Sequence, residues 1–262
     1  VLVMRSNKTQ APPNTPLVEG VDLFCGVGGL SCGLAAEGVR VVAGIDVDPA
    51  CQFPYEANHK GAQFLLRDVT TLKAEEVKAF WSPGAVRLLA GCAPCQPFSS
   101  YANTATVDKA KWRLLREFAR LVAECEPDLV TMENVPRLQQ AAPFKDFLRA
   151  LKRGKYHVDY SVVNAADYGA PQQRKRLVLV ASRLGPVAVP EPTHKGPANW
   201  VTVRKAVGHL ATLEDGQTSK EDPLHVASTL SDLNRARIRA SKPGGTWRDW
   251  PPQLVAACHQ RE

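Results

Sequence analysis

The chain has no apolar run approaching the roughly 20 residues that a membrane-spanning helix needs, and no internal repeat of roughly 20 to 50 residues. A spanning role and a repeat architecture are both disfavoured. Its first residues, 1–20, lack the apolar core of a secretory signal and hold Pro12, Pro13 and Pro16 among polar neighbours, so they are expected to form a flexible lead-in. Seven cysteines, an odd number spread along the chain, do not make a disulfide framework and suit a reducing, cytoplasmic setting. What is present is ordinary globular composition: 262 residues, 44% hydrophobic and 23% charged, enough for one large domain or two small ones. The excess of Lys and Arg (33) over Asp and Glu (26) gives a net charge of +7. That favours a polyanionic partner, nucleic acid first, although such a charge is also common in soluble enzymes.

From Gly20 to Ser182 short β-branched runs alternate with longer helical patterns. Strands are expected at Val21–Cys25, Val39–Ile45, Gln63–Leu66, Val86–Gly91, Asp128–Glu133, Tyr156–Asn164 and Leu177–Ala181. Helices are expected at Gly29–Glu37, Pro49–Asn58, Ala74–Trp81, Lys111–Cys125 and Phe144–Lys152. Such alternation predicts an α/β fold, a mostly parallel sheet with helices on both faces, in which ligands bind at the carboxyl ends of the strands. Beyond Ser182 the pattern loosens. WVTVRKAVGHL reads as a short strand and helix and Asn234–Ala240 as a helical turn, so the domain edge is expected by about Leu210.

The first strand runs into DLFCGVGGLSCGL, which puts Gly26, Gly28 and Gly29 at a strand-to-helix turn where the backbone and free N–H groups can approach a ligand. A tight turn without a ligand is the plain alternative. About 20 residues on, the second strand ends at Asp46, and the third ends at Asp68. Either carboxylate alone reads equally as a helix cap or a solvated loop residue; with the glycine loop they describe an adenosine pocket. The glycine spacing departs from G-x-G-x-x-G, which disfavours a dinucleotide and its pyrophosphate.

The fourth strand ends at Cys92-Ala93-Pro94-Cys95-Gln96-Pro97-Phe98-Ser99. Prolines on both sides of Cys95 stiffen the turn and suit a nucleophile, while a buried cysteine, a C-x-x-C redox pair and half of a zinc site compete with that reading. No further Cys or His pair follows at ligand spacing, so no metal is expected. The fifth strand delivers Glu133-Asn134-Val135-Pro136, whose carboxyl, if walled by apolar groups, would have its pKa raised by desolvation and could donate a proton. Further on comes Pro171-Gln172-Gln173-Arg174-Lys175-Arg176; alternation in an extended segment would point Gln172, Arg174 and Arg176 to one face, a solvated basic patch being the alternative.

Taken in order, DLFCGVGGLSCGL, GIDVDPACQFPYEAN, the Asp68 turn, PCQPFS, ENV and QxRxR closely resemble the ordered motifs of C5-cytosine-specific DNA methyltransferases. The resemblance covers about Val21 to Ser182 and continues more weakly through Pro192-Thr193-His194 and the 200–210 segment. It implies a Rossmann-like S-adenosylmethionine-dependent methyltransferase fold, S-adenosylmethionine as cofactor and double-stranded DNA as substrate. By similarity Phe24 packs near the adenine, Asp46 holds the ribose and Asp68 receives the adenine amino group. Asp22, Gly26, Gly28, Gly29, Val47, Val69 and Pro94 complete the cofactor set.

The same resemblance makes Cys95 the nucleophile at C6 of a flipped-out cytosine, with Glu133 on the ring's N3 and amino group and Arg176 near O2. An ordinary thiol is only a few per cent ionised at neutral pH, and Arg174 and Arg176 are the candidates to favour the Cys95 thiolate. Gln96, Ser99 and Gln172 would face DNA.

Two further motifs of that family, one with Pro-Arg-Glu and one with Gly-Asn-Ser/Ala-Val, are missing. The expectation is therefore an amino-terminal catalytic part, either a subunit of a split enzyme whose partner carries the rest or a truncated form, with residues 211–262 beginning a target-recognition region. DNA methylation within a restriction-modification system is the leading functional expectation. RNA cytosine-5 methylation and a non-catalytic cofactor- or DNA-binding subunit are the alternatives.

Overall fold

The computed structural model describes residues 17–94 and 113–260. These form two compact units, one ending at Thr202 and the other starting at Val203.

The first unit is built on a seven-stranded sheet: β1 (Val18–Leu23), β2 (Arg40–Asp46), β3 (Gln63–Leu66), β4 (Val86–Gly91), β5 (Leu129–Asn134), β6 (His157–Asn164) and β7 (Lys175–Ser182). Their spatial order is β3-β2-β1-β4-β5-β7-β6. The first five run parallel, and β7 lies antiparallel between β5 and β6. Successive residues Val21, Asp22 and Leu23 are all buried, which requires cover on both faces of the sheet at β1.

Helices α1 (Gly29–Ala36), α2 (Gln52–Asn58), α3 (Ala74–Lys78), α4 (Arg113–Cys125) and α5 (Ala142–Arg153) supply the connections. In α4 the buried Leu115, Phe118, Leu121, Val122 and Cys125 recur at helical spacing, and in α5 Phe144, Phe147 and Leu151 do. Phe118 meets Phe147 with ring centroids 5.2 Å apart, joining the two helices within one core.

Several boundaries differ from expectation. β1 begins at Val18, inside the expected lead-in, and stops before Phe24, because Phe24 takes a left-handed φ of 59° that no strand tolerates. The single helix expected at Pro49–Asn58 is a 3-10 turn (Pro49–Cys51) followed by α2. Pro54, lacking an N–H, is accommodated only in the first turn of the new helix, where no intrahelical acceptor exists. Trp200–Thr202 form no strand. After β7 the chain passes close to β6, where the Val189 N–H donates to Asp159 Oδ2 (2.8 Å) and, just beyond the strand, the Tyr168 hydroxyl donates to the Pro190 carbonyl (2.7 Å).

The second unit contains α6 (Val203–Val207) and α7 (Asp232–Ala240), and none of its described residues is buried. Arg235 pairs with Asp215 and Asp232, and Trp247 stacks on His259 at 4.6 Å.

Gly44 on β2 is required by its neighbour. A Cβ there would lie 2.2 Å from the ring of the fully buried Tyr55. Gly44→Ala is expected to displace that ring and cost about 1–3 kcal/mol, read as a lowered denaturation midpoint with an unchanged slope.

Candidate active site

Strand order reverses between β1 and β4: from β1 the chain winds outward through β2 and β3, then returns to start β4 on the other side. Loops leaving the two neighbours diverge, and the crevice at their carboxyl ends is where such sheets bind ligands. After β1, Phe24 (φ 59°), Gly26 (φ 52°) and Gly28 (φ 91°) turn the chain into α1. A side chain at Gly28 would be strained by its φ of 91° and would have to displace the His59 ring, whose Nε2 would lie 2.0 Å from the added Cβ.

Asp46, at the end of β2, holds this loop. Its Oδ2 accepts from the Gly26 N–H (2.9 Å) and its Oδ1 from the Asp48 N–H (3.0 Å), and each oxygen retains a lone pair for a further donor. Asp68, after β3, accepts from the Thr70 N–H (2.8 Å) and stays exposed. Neither acid caps a helix: Asp46 ties the glycine loop and Asp68 its own turn, and both face one cavity of about 130 Å3. It is lined by Phe24, Asp46, Val47, Asp68, Val69 and Pro94, together with Arg67, Cys92 and Leu114. Larger hollows of about 270 and 260 Å3 lie elsewhere, around Tyr156 and Arg183 and beside Asp159 and Tyr168. Neither gathers strand-end groups from the switch point, so the smaller cavity is the better candidate site.

Beneath the glycine loop runs a buried polar chain. Ser31 Oγ donates to Asp22 Oδ2 (2.7 Å) and lies 3.0 Å from the Tyr55 hydroxyl, while Asp22 Oδ1 has no partner among the described residues. Burial raises the Asp22 pKa to about 6 against the opposing hydrogen bond from Ser31.

On the other side of the crevice, Glu133 on β5 is held by two neighbours: Arg176 Nε on Oε1 (2.7 Å) and the Cys92 thiol on Oε2 (3.0 Å). Glu133 thus faces a guanidinium and a thiol, and its side chain is one-third exposed. This corrects the expectation of apolar walls around it. Asn134, the next residue and a buried one, donates from Nδ2 to the Ala93 carbonyl (2.9 Å) and accepts the Val135 N–H at Oδ1 (2.8 Å), tying the end of β5 to the turn that leads to Cys95.

Arg174 and Gln172 are exposed and precede β7, so the expected alternation does not extend through them; Arg176 alone of the three is in the strand and half-buried. The Arg174 backbone is fixed by its N–H to Asn164 Oδ1 (3.0 Å). Cys95, Gln96, Ser99 and the 100–111 loop lie outside the described residues. Sequence reasoning missed the Asp22–Ser31–Tyr55 chain, the Cys92 contact and the Asn134 tether. Of these, only Asn134 carried a signal, as the residue directly after the strand-end acid.

The fold places this chain among S-adenosylmethionine-dependent methyltransferases. The description of the C-5 cytosine-specific DNA methylase family matches residues 18–258, and the chain belongs to that family. It is 46% identical over 245 residues to the Type II methylase M.HgiDII of Herpetosiphon aurantiacus, covering 92% of this chain and 68% of that one. It is 34% identical over 202 residues to the Type II methyltransferase M.XorII of Xanthomonas oryzae, covering 74% and 47%. A solved DNA modification methyltransferase encoded within a prophage of E. coli superposes with a TM-score of 0.65 at 28% identity, over 78% of this chain and 58% of its own. The chain thus spans about half to two-thirds of these proteins' length.

The raised pKa of Asp22 sets a sign. Between its ordinary value of 3.8 and about 6 the folded state holds the proton more tightly than the unfolded chain, so this group's contribution to stability falls as pH rises through that window. Asp22→Asn is expected to flatten the loss, at most about 3 kcal/mol, as read from chemical denaturation at pH 4 and pH 7.

Proposed function

We propose that this chain carries the catalytic part of a DNA (cytosine-5)-methyltransferase acting on duplex DNA, in the setting of a restriction-modification system. The carrying observation is the junction where Glu133, Arg176, Cys92 and the Asn134-tethered turn before Cys95 meet, beside the cavity of the glycine loop. The cavity suits the adenosine end of S-adenosylmethionine: it has an apolar wall of Phe24, Val47, Val69 and Pro94, and the carboxylates of Asp46 and Asp68 for hydroxyl and amino donors. When bound, S-adenosylmethionine supplies an electrophilic methyl group on a sulfonium.

In this reading Phe24 stacks against the adenine, Asp46 accepts from the ribose, Asp68 from the adenine amino group, and the backbone of Gly26, Gly28 and Gly29 meets the amino-acid part. Asp22 supports the glycine loop from below through Ser31. The Cys95 thiolate bonds to C6 of a flipped cytosine, and the electron pair released to C5 takes the methyl group, the S–CH3 bonding pair staying on the departing thioether sulfur. Loss of the C5 proton to a base then restores the C5–C6 double bond and expels Cys95 as thiolate, leaving the enzyme unchanged. Glu133 holds the ring's N3 and amino group, with Arg176 anchoring its carboxylate. Arg174 supplies positive charge that favours the Cys95 thiolate, while Gln172, Gln96 and Ser99 meet the DNA around the extruded base, whose unstacking costs a few kcal/mol.

Residues 211–262 begin a target-recognition region. Their exposed Leu224 and Ile238 accord with cover by further chain, on this polypeptide or on a carboxyl-terminal subunit.

The test is transfer of labelled methyl from S-adenosylmethionine to mixed-sequence duplex DNA, with and without a carboxyl-terminal part. Label on cytosine that disappears in Cys95→Ser, by at least about a thousandfold, is the expected outcome. Cofactor binding without transfer under either condition, or label that survives Cys95→Ser, would refute it. Asn134→Ala is expected to lower transfer by about tenfold or more by freeing the turn, equivalent to about 1.4 kcal/mol.

A further inference from the structure

The family resemblance assigns no task to Cys92, yet this thiol touches the group expected to read the base. Glu133 stands on β5, which is flanked by β4 and β7. From the β7 side Arg176 Nε reaches Oε1 at 2.7 Å; from the β4 side Cys92, following Gly91, which pairs with Met132, places its Sγ 3.0 Å from Oε2. The two contacts straddle the strand and use different oxygens. A glutamate side chain has three rotatable bonds, and one partner alone would leave the carboxylate free to swing about the guanidinium. A second donor on the opposite oxygen removes that freedom.

The thiol is well placed for this. Its backbone is pinned by the Cys92 N–H to the Leu23 carbonyl (3.4 Å) and, one residue on, by Asn134 Nδ2 to the Ala93 carbonyl (2.9 Å). Burial and the adjacent carboxylate push the Cys92 pKa well up, so the group facing Glu133 is S–H, a donor, and not a thiolate that would repel it. Cys92 also lines the cavity of Phe24, Asp46 and Pro94, so a single side chain borders both the cofactor side and the base side of the crevice.

We propose that Cys92 is a positioning residue: by donating from its thiol to Glu133 Oε2, against Arg176 on Oε1, it holds Glu133 in the orientation that meets the cytosine ring. This rests on the role given to Glu133 above.

The test pairs a spectroscopic arm with a kinetic one on the full chain, supplied with its carboxyl-terminal part where transfer requires it. In the infrared, the S–H stretching band lost in Cys92→Ala identifies this thiol. That band is expected at a hydrogen-bonded position in the native protein and at the free-thiol position in Glu133→Ala; a band insensitive to Glu133→Ala overturns the contact. Kinetically, Cys92→Ala is expected to lower kcat by about tenfold with the KM for S-adenosylmethionine within about twofold, and Cys92→Ser, which keeps a donor, to recover most of the loss. Unchanged kcat in Cys92→Ala, or equal losses in both variants through a raised KM for S-adenosylmethionine, would reduce Cys92 to a cavity wall and overturn the proposal. Full activity in Glu133→Ala would instead remove the role of Glu133 itself, and that of Cys92 with it, while the infrared arm still reports the contact.

Discussion

A parallel sheet whose chain reverses its winding must open somewhere, and in this molecule the opening between β1 and β4 organises everything around it. The two strands pair in register from Val18–Val86 to Leu23–Gly91, so their loops leave from the same height and part at once. One loop turns through a left-handed Phe24 and two glycines, and the other through Cys92-Ala93-Pro94. Each is anchored by the carboxyl end of the next strand outward: Asp46 of β2 to the Gly26 N–H, and Asn134 of β5 to the Ala93 carbonyl. The crevice is therefore held symmetrically, by one side-chain tether on either flank, although the tethering residues have opposite hydrogen-bonding character.

The antiparallel strand is the second organising element. Placing β7 between β5 and β6 brings the end of the chain's basic run beside the end of β5, which is why a cation at 176 meets a carboxylate at 133. Had β6 paired with β5 directly, Arg176 would sit one strand farther from Glu133. A purely parallel continuation could not deliver that arginine from its own amino-terminal end to the carboxyl end of β5.

How legible this was depends on how local the cause is. The strands β3 and β4 were readable to the residue, because short runs rich in apolar residues and bounded by turn residues depend on nothing distant. The limits of β1 were not, since only the turn geometry at Phe24 ends the strand early and a phenylalanine gives no hint of a left-handed φ. For the site, the acids and glycines were visible because strand ends are where side chains must project. Their partners were not: Ser31 and Tyr55 come to Asp22 across 9 and 33 positions of chain only through the packing of α1 and α2, and the pairing of Glu133 with Arg176 needed the order of β7 and β6, which alternation cannot specify.

The passage of the chain close to β6 has a bearing on colloidal behaviour. Edge strands offer unpaired backbone groups on which another molecule can add a strand. Here one edge of the sheet is β3, only four residues long, and close to the other edge strand, β6, passes the proline-containing segment fastened by Val189 to the Asp159 side chain and by Tyr168 to Pro190. The short β3 leaves only a few ladder groups on its side, and Pro190 beside β6 has no N–H with which to extend the sheet.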